Sequence, residues 1–493
     1  MKLILKSLCC ASILFVLNAC NTDFLNLTDP DTFDVPKYYQ TEQDMEDALT
    51  AAYSATRIFY NQLYYVTEMK SDNTGTTNTG DSGGLYATFT THLVNANNTV
   101  VTNVYNGLYI TIYRANLVLK YIDKVKMSDE SRARITAEAK FLRALSHFYL
   151  VRLWGPVTMV DKIIETTDEA KAVTRQTVDE VYRLIVDDLK EVASCTALAT
   201  FEGGDRMGHA TRTAGAALLG KVYVTMAATL GNASYYNDAV TCLQQACTLT
   251  DMQALPTAFT GIFGTANEAC TELIFQCMYI ANATEYSTFA YDFQPYSQLG
   301  MTSQLKGRGC NLGEKNLFDE FETGDRRKAV CITATTDGNS YYTKKYVDLS
   351  NTSGLGGNNW IELRFADVFL LLAEAYERLN DPDNAIKYLD LVRTKHGALK
   401  GYEASLTDYP DYAVKYPTLR DAIFHERRME LCFENHRWFD LQRLYPHSRD
   451  LAAFMQSVAT TLKYSGFRAY EALLPIPYDE VFFNAKIYQN EVF

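Results

Sequence analysis

Three glutamates recur at every fourth residue near the C-terminal end of the chain, at Glu426, Glu430 and Glu434. On a helix this spacing places the carboxylates on one face, and a close pair of carboxylates is what a glycoside hydrolase uses. Arg427 and Arg437 stand among them, and neighbouring arginines keep carboxylates ionised instead of raising the pKa of an acid catalyst. The pattern therefore predicts a structural ion-pair network without catalysis.

A second string that could do chemistry is Gly80-Asp81-Ser82-Gly83-Gly84, which matches the glycine-flanked serine of two hydrolase classes. A serine nucleophile needs a histidine base and an oriented acid. The first histidine of the chain is His92, so the order in which the histidine precedes the serine is excluded. The other class needs a buried strand before the serine, but Thr74–Thr79 is polar and contains glycine. We expect a surface loop here.

Metal-binding spacing is absent from the sequence. The histidines form no His-x-x-x-His set, and the eight cysteines after Cys20 include no Cys-x-x-Cys. The spacing of the cysteines leaves disulfide pairing open. We expect them to serve as small buried hydrophobic side chains. No phosphate loop or dinucleotide fingerprint occurs, so we predict no cofactor and no metal, with calcium at an Asp-rich loop left open.

The N-terminus carries an export signal. Lys2 and Lys6 precede an apolar run over Leu8–Leu17, which is shorter than the about 20 residues of a membrane-spanning helix. The run ends in Leu17-Asn18-Ala19-Cys20, which resembles a bacterial lipobox, and a polar stretch follows. Residues 1–19 are predicted to be a signal peptide, and Cys20 is predicted to be lipidated, because two or three acyl chains anchor a protein stably.

Composition restricts the function further. The 493-residue chain is 47% hydrophobic, enough for a large core, and its formal charge is −13. An acidic chain without basic runs argues against nucleic acid as a partner. Aromatic residues are abundant, with 34 tyrosines and 25 phenylalanines, but there are only 3 tryptophans.

Helical periodicity dominates the chain. Apolar spacing predicts helices over Asp44–Tyr60, Tyr105–Val125, Asp129–Trp154, Thr177–Val192 and Thr211–Ala228. The apolar stripe of the third is so wide that burial on most sides is expected, and Gly155-Pro156 should end it.

Two segments have the pattern of a helix–turn–helix pair. One runs through Ala216–Leu230 and Tyr236–Leu249, and the other through Ala366–Leu379 and Asp383–Lys395, with Pro382 suited to a first helical turn. Small residues at the crossing points and a repeat near 34 residues resemble degenerate tetratricopeptide repeats that are dispersed along the chain.

Two loop-rich zones separate the helices. The first, 71–98, is rich in Asp, Asn, Thr and Gly, and the second, about 251–360, carries many tyrosines and phenylalanines. Long loops inside a compact domain are usually functional or disordered. We therefore expect ligand binding in these zones.

Six short stretches of recognisable type follow one another in order along the chain. They are Lys70–Asn73, Tyr113–Asn116, Ala137–Val157, Phe318–Arg326, Leu363–Ala375 and Glu426–Leu441. Each is weak alone, but six in register with a lipobox resemble the SusD/RagB family over nearly the whole mature chain.

This resemblance implies a mainly all-α fold with four dispersed tetratricopeptide-like pairs and a loop-rich ligand-binding face. It implies one SusD-like domain over 37–493 behind a tether at 20–36, with helices at about 37–70, 104–250 and 362–445. It also implies a non-catalytic lipoprotein of the outer membrane, facing the exterior, that captures oligosaccharides and delivers them to a SusC-type TonB-dependent transporter. Asp23 resembles the acidic export signal of surface lipoproteins in Bacteroidetes. Whether the protein acts as a lid, a co-receptor or both stays open.

Sugar binding needs aromatic platforms beside hydrogen-bonding groups. Trp154 and Trp438 lie in helical motifs and only Trp360 borders a loop zone, which disfavours starch as the ligand. A peptide-binding, RagB-like member of the same transport class is the alternative. The candidate ligand-binding residues in the two zones are Asp72, Asn73, Asp81, Tyr86, Phe89, Tyr286, Tyr291, Tyr296 and Trp360.

Overall fold

The computed structural model describes residues 38–76, 84–252, 255, 258–295, 307–348, 354–397, 400–409, 411–459 and 466–490. Its helices in the N-terminal half are α1 Glu42–Val66, α2 Ala87–Thr91, α3 Thr99–Tyr121, α4 Asp129–Trp154, α5 Thr167–Ala172, α6 Val178–Ser194, α7 Arg212–Thr229 and α8 Tyr235–Leu249.

The remaining α-helices lie in the C-terminal half. They are α9 Phe289–Asp292, α10 Lys315–Glu320, α11 Lys328–Cys331, α12 Phe365–Arg378, α13 Pro382–Val392, α14 Tyr402–Asp408, α15 Tyr412–Lys415, α16 Leu419–Leu431, α17 Arg437–Leu444, α18 Ser448–Ser457 and α19 Tyr478–Phe483. A π-helical turn, Arg393–Gly397, continues α13.

The long helix α4 shows how local sequence sets these bounds. The Ser128 side chain accepts a hydrogen bond from the Ser131 backbone and caps the first turn. Gly155 ends the helix with φ 73°, a left-handed backbone angle that favours glycine. Most of the helix from Ile135 onward is buried, as its wide apolar stripe predicts.

Successive helices pack against one another, and this stacking forms the core. Helices α1 and α3 form the first pair, α4 and α6 the next, then α7 with α8, and α12 with α13. Contacts of α3 with α4, α6 with α7 and α8 with α12 join the pairs into one stack. The mainly all-α prediction and its dispersed helix pairs are confirmed.

The strands are short, and the sequence reasoning missed them. They are β1 Thr74–Gly75, β2 Leu273–Cys277, β3 Leu312–Gly313, β4 Thr333–Ala334, β5 Tyr341–Tyr342 and β6 Trp360–Arg364. Strands β2 and β6 pair antiparallel, and the other four form a sheet in the order β1-β3-β5-β4. Strands β2 and β6 also contact α1, α7 and α12, and these contacts join the second loop zone to the helices.

The structure adjusts several predicted helix bounds. Helices α1 and α3 begin earlier than predicted, where Thr41 and Asn98 cap them with their side chains. Pro382 occupies the first turn of α13, as predicted. No helix of the described residues is both long and apolar enough to cross a membrane.

Candidate functional site

The two predicted loop zones meet in the folded chain. Strand β1, in the first zone, pairs antiparallel with β3 in the second, so that Thr74 lies opposite Gly313. The Thr76 hydroxyl donates a hydrogen bond to the Gly309 carbonyl at 2.7 Å. These contacts bring sequence positions more than 230 residues apart into one region around Thr74, Thr76, Gly309 and Gly313, which we name the loop junction.

Tyr64 and Tyr65 of helix α1 contact the residues around the loop junction. The Tyr65 ring stacks on that of Tyr86, with centroids 4.6 Å apart and planes inclined by 15°. The adjacent Tyr64 hydroxyl donates to the Asp292 carboxylate at 2.9 Å. Tyr65 is buried and Tyr86 is half-buried, so Tyr86 is the outer ring of the stack.

Arg308 completes the loop junction. Its guanidinium donates to the Asp292 carboxylate at 3.1 Å and lies 5.3 Å from the ring centre of Tyr291. The Asp292 side chain is 2% exposed whereas that of Arg308 is 33% exposed. Burial raises the pKa of Asp292, and Arg308 and the Tyr64 hydroxyl oppose that rise. A half-exposed ring beside an oriented guanidinium can stack on one face of a ligand and donate hydrogen bonds to its oxygens.

The predicted site residues divide into three groups. Tyr86 and Tyr291 lie at the loop junction, and Tyr286 is half-buried beside the Ser287–Gly356 bridge, where its carbonyl accepts from Asn61. Cys20, Asp81 and Tyr296 lie outside the described residues, as does Ser82 of the glycine-flanked string. Asp72, Asn73, Phe89 and Trp360 are buried.

Asp72 and Asn73 have structural roles, which corrects the contact role expected of them. Arg437 forms a bidentate ion pair with Asp72 at 2.7 and 2.9 Å, and Arg428 donates to the Asn73 side chain at 2.8 Å. Burial opposes ionisation, but Arg428 and Arg437 hold the pKa of Asp72 well below its usual range. These two side chains tie the first loop zone to α16 and α17.

Phe89 and Trp360 are also corrected to packing roles. Trp360 is fully buried and stacks on Tyr346 at 5.3 Å, with ring planes inclined by 11°. Phe89 is fully buried against Tyr65. Trp360 borders a loop in sequence, but it is the first residue of β6 and faces the core. Neither ring has a surface on which a sugar could stack.

Glu426 and Glu430 of α16 form ion pairs, as predicted, and so does Glu434, which lies shortly after the end of the helix. Arg364 donates to Glu430 at 2.6 Å and to Glu434 at 2.7 Å, and Arg327 pairs with both Glu426 and Glu430. Burial acts against ionisation, yet His396 and Arg364 hold the pKa of Glu430 well below its usual range. We name this cluster the Glu430 network, and its members are Glu272, Asp325, Arg327, Lys345, Arg364, Arg393, His396, Glu426, Glu430 and Glu434.

Helix α16 also contributes Arg427 to a second buried cluster, the Asp367 network. Arg427 donates to Asp367 at 2.9 Å and to Asp440 at 3.0 Å. Arg443 pairs with Glu374 at 2.8 Å and also with Asp440. The remaining members are Lys221 and His436.

One group within the Glu430 network has the composition of a metal site. Ligand atoms of Glu272, His396 and Glu430 lie within 4.8 Å of one another, and all three residues are buried. Arg364 already donates to both carboxylates, at 2.9 and 2.6 Å. Burial lowers the pKa of His396, but Glu430 and Glu272 outweigh it and raise that pKa to about 9. Two cations thus neutralise these carboxylates, and the arrangement fits an ion network better than a metal.

No disulfide joins the eight cysteines from Cys195 to Cys432, all of which lie in the described residues. Five of them, among them Cys331 and Cys432, are buried, and Cys195, Cys242 and Cys270 are half-buried. This agrees with the prediction that cysteines serve as small buried hydrophobic side chains.

A stack of packed helix pairs joined to loop-rich zones defines the class of protein, which is a mainly all-α protein built from helix pairs. Comparison with known families gives the family. The model of the SusD family matches residues 286–493, and a second model, described as "Starch-binding associating with outer membrane", matches residues 23–224. The two models together cover most of the chain, which belongs to the SusD family, and the description of the second model associates its members with the outer membrane.

Characterised relatives cover almost the full chain. The SusD-like protein P25 of Formosa agariphila is 25% identical, with 94% of each chain aligned. A SusD-like protein of Bacteroides ovatus is 24% identical over 90% of this chain and 83% of its own.

Solved structures share the fold. Surface glycan-binding protein A of Bacteroides thetaiotaomicron, in complex with laminarihexaose, has a TM-score of 0.76 at 20% identity, covering 92% of this chain and all of its own. NanU of B. fragilis has a TM-score of 0.77 at 22% identity, with 94% and 99% covered. A laminarin-binding SusD-like protein has a TM-score of 0.74 at 24% identity, with 92% and 100% covered.

Proposed function

We propose that this protein is a surface-exposed, lipid-anchored glycan-binding protein that captures oligosaccharides at the loop junction and passes them to a SusC-type TonB-dependent transporter, without catalysis. The observation that carries the proposal is the pair of Tyr291 and the partly exposed Arg308, which Asp292 and Tyr64 join to the stacked rings of Tyr65 and Tyr86. Rings and guanidinium donors together suit the apolar faces and hydroxyls of a sugar.

The nature of the platform narrows the ligand. Trp154, Trp360 and Trp438 are all buried, so stacking would depend on tyrosine. Two structures that share the fold are named for laminarihexaose and laminarin. We therefore take laminarin-type oligosaccharides as the first ligands to test, and starch-type oligosaccharides as the comparison.

Charge pairing supports the absence of glycoside hydrolysis. A general acid needs a carboxyl that stays protonated near neutral pH. Within α16, Glu430 has its pKa held in the opposite direction by His396 and Arg364, and Glu426 lies between Arg327 and Arg393. Both glutamates are fully buried, so a glycan could not reach them without disrupting the core.

Calorimetric titration of the soluble form lacking residues 1–20 with laminarihexaose and maltohexaose tests ligand binding. Replacing Tyr291 with alanine should weaken binding roughly 3- to 10-fold, because one stacking contact is lost. Tyr113→Ala is the matched control, since Tyr113 is 49% exposed on α3. Equal affinity of the Tyr291→Ala variant and the control variant would exclude the loop junction as the site.

The ligand class has its own decisive outcome. A glycan array without any binding, together with saturable binding of peptides, would favour the RagB-like alternative. Hydrolysis of a bound glycan that disappears in a folded Glu430→Gln variant would contradict the non-catalytic proposal.

The anchor and the partner need separate experiments. Cys20→Ala should release the protein from the outer-membrane fraction if Cys20 carries the lipid. Co-purification of a TonB-dependent transporter with the lipidated protein would support delivery, and its absence from cross-linked membranes would contradict it.

A further inference from the structure

A cavity lies among the helices, outside the loop junction. It has a volume of about 340 Å³ and opens where the C-terminal end of α4 meets α6, α7, α17 and α18. Its lining includes Arg152, Tyr182, Thr229, Tyr445, Leu451 and Leu473. Tyr86, Tyr291 and Arg308 do not line this cavity, so glycan capture at the loop junction does not account for it.

Arg152 is an unusual wall for such a cavity. The residue is 5% exposed, and its guanidinium carbon lies 3.6 Å from the ring centre of Phe148 and 3.7 Å from that of Phe439. Its Nε donates to the Phe148 carbonyl at 3.1 Å. Because two rings cover the faces of the guanidinium, only its edge, which bears the remaining N–H donors, is open to a further partner.

No carboxylate of the described residues forms an ion pair with Arg152. The other buried arginines near it differ, since Arg443 pairs with Glu374 and Arg427 with Asp367. The carboxylate of Glu362 contributes at longer range, and one of its oxygens accepts from the hydroxyls of both Tyr60 and Tyr149. Burial lowers the pKa of Arg152, which reflects the cost of an incompletely compensated buried cation.

The rest of the cavity is mostly apolar. Tyr445, Leu451 and Leu473 provide rings and branched side chains, and Thr229 is one of a few hydroxyls. A cavity of this size with one buried cation and apolar walls selects a ligand with one anionic group and an apolar body. A carboxylate matches the edge of a guanidinium through paired N–H···O bonds.

We propose that this cavity binds a small amphiphilic carboxylate, with its carboxylate on the guanidinium edge of Arg152 and its apolar body against Tyr445, Leu451 and Leu473. The ligand would supply the negative charge that the protein does not place there. This binding activity is separate from glycan capture. A variant that no longer binds glycans should therefore still bind the carboxylate.

Calorimetric titration of the soluble protein with sodium octanoate tests the proposal, with 1-octanol as the neutral probe of similar length. Octanoate should bind saturably, and 1-octanol should bind roughly 10- to 100-fold more weakly, because a charge-assisted hydrogen bond is lost. Arg152→Gln should weaken octanoate by a similar factor. Equal affinity for the two probes, or no saturable binding of octanoate, overturns the proposal.

A second pair of variants covers the case in which Arg152→Gln does not fold. Ser448 is exposed and lines the mouth of the cavity, whereas Ser457 is exposed at the other end of the same helix, α18. Ser448→Trp should abolish octanoate binding by filling the mouth, and Ser457→Trp should leave it unchanged. Octanoate affinity that is the same in both tryptophan variants places binding elsewhere and overturns the proposal.

Discussion

The two buried charge networks both include residues of α16 and each contain a histidine, yet the pKa values of the two histidines are shifted in opposite directions. His396 lies between two carboxylates of the Glu430 network, which raise its pKa to about 9. His436 lies beside Lys221, whose ammonium donates to its Nδ1 at 3.3 Å, and burial with Lys221 holds the pKa of His436 well below its usual range. Because burial lowers the pKa of both histidines, the neighbouring charges account for the opposite directions of their shifts.

The comparison also shows how differently the two networks depend on single cations. In the Glu430 network, Arg364 contacts Glu272, Glu430 and Glu434. In the Asp367 network, Arg443 contacts two carboxylates, and Arg427 shares one of them. Removal of Arg364 should therefore leave more uncompensated charge than removal of Arg443.

The largest expected effect is on the free energy of unfolding of the Arg364→Met variant. Removing one partner of a buried ion pair costs about 3–5 kcal/mol, and Arg364 serves three carboxylates, so we expect the upper end of this range. Arg443→Met should cost less. Denaturant unfolding measures both, and soluble yield ranks them if Arg364→Met does not fold.

Arg420→Met is the surface control for both variants. Arg420 pairs with Glu377, and its side chain is 40% exposed. An exposed pair of this kind contributes about 0–1 kcal/mol. Comparable losses in the Arg364 and Arg420 variants would contradict the view that the Glu430 network stabilises the core.

The second prediction concerns pH and separates the two histidines. Because the pKa of His396 is raised to about 9, its stabilisation is complete below its unfolded pKa of about 6.5 and is lost as pH rises through about 9. The free-energy cost of His396→Gln should thus be greatest near pH 6 and fall by about 2–3 kcal/mol toward pH 10. Unfolding curves at several pH values measure this change.

His436→Gln should show the opposite dependence on pH. The pKa of His436 is lowered, so its neutral form is favoured in the fold, and its contribution is lost as pH falls below about 6.5. A pH dependence of the same sign for both substitutions would show that the charge balance around one of the histidines has been misassigned.

The sequence predicted one side of each interaction better than the other. The spacing of Glu426, Glu430 and Glu434 indicated a shared face and arginine partners. The principal partner, Arg364, lies 66 residues from Glu430, and Arg327 lies 103 residues away. Local periodicity carries no information about such distant contacts, so the interleaved arginines were the expected partners.

The same limit applies to the loop junction. Helix α4 was predicted with its observed bounds, because its wide apolar stripe and the Gly155-Pro156 that ends it are local signals. Trp360 was expected at the ligand because it borders a loop zone in the sequence. The pairing of β6 with β2 buries it, and this pairing depends on a strand 83 residues earlier. Arg308 was missed, although its position between Gly307 and Gly309 marks a place where the backbone passes close to other groups.

The third prediction asks whether the two networks depend on α16 as a helix. Thr418 caps α16 by accepting from the Asp421 backbone, and Asp421 caps back on Thr418. Thr418→Ala should cost about 1 kcal/mol. Because the capping groups are outside both networks, the loss should be the same at pH 6 and pH 9. A cost that grows at either pH would show that the cap and one network are coupled.

The smallest expected effect is that of added metal ions on the Glu430 network. A metal bound by Glu272, His396 and Glu430 needs a neutral imidazole, and it must replace Arg364 on two carboxylates. With the pKa of His396 raised to about 9, the imidazole is protonated at pH 7. Zn²⁺ or Ca²⁺ should therefore leave the unfolding midpoint unchanged at pH 7. A rise in that midpoint that disappears in His396→Gln would instead identify the three residues as a metal site. The difference between the networks would then lie in ligand chemistry as well as in charge.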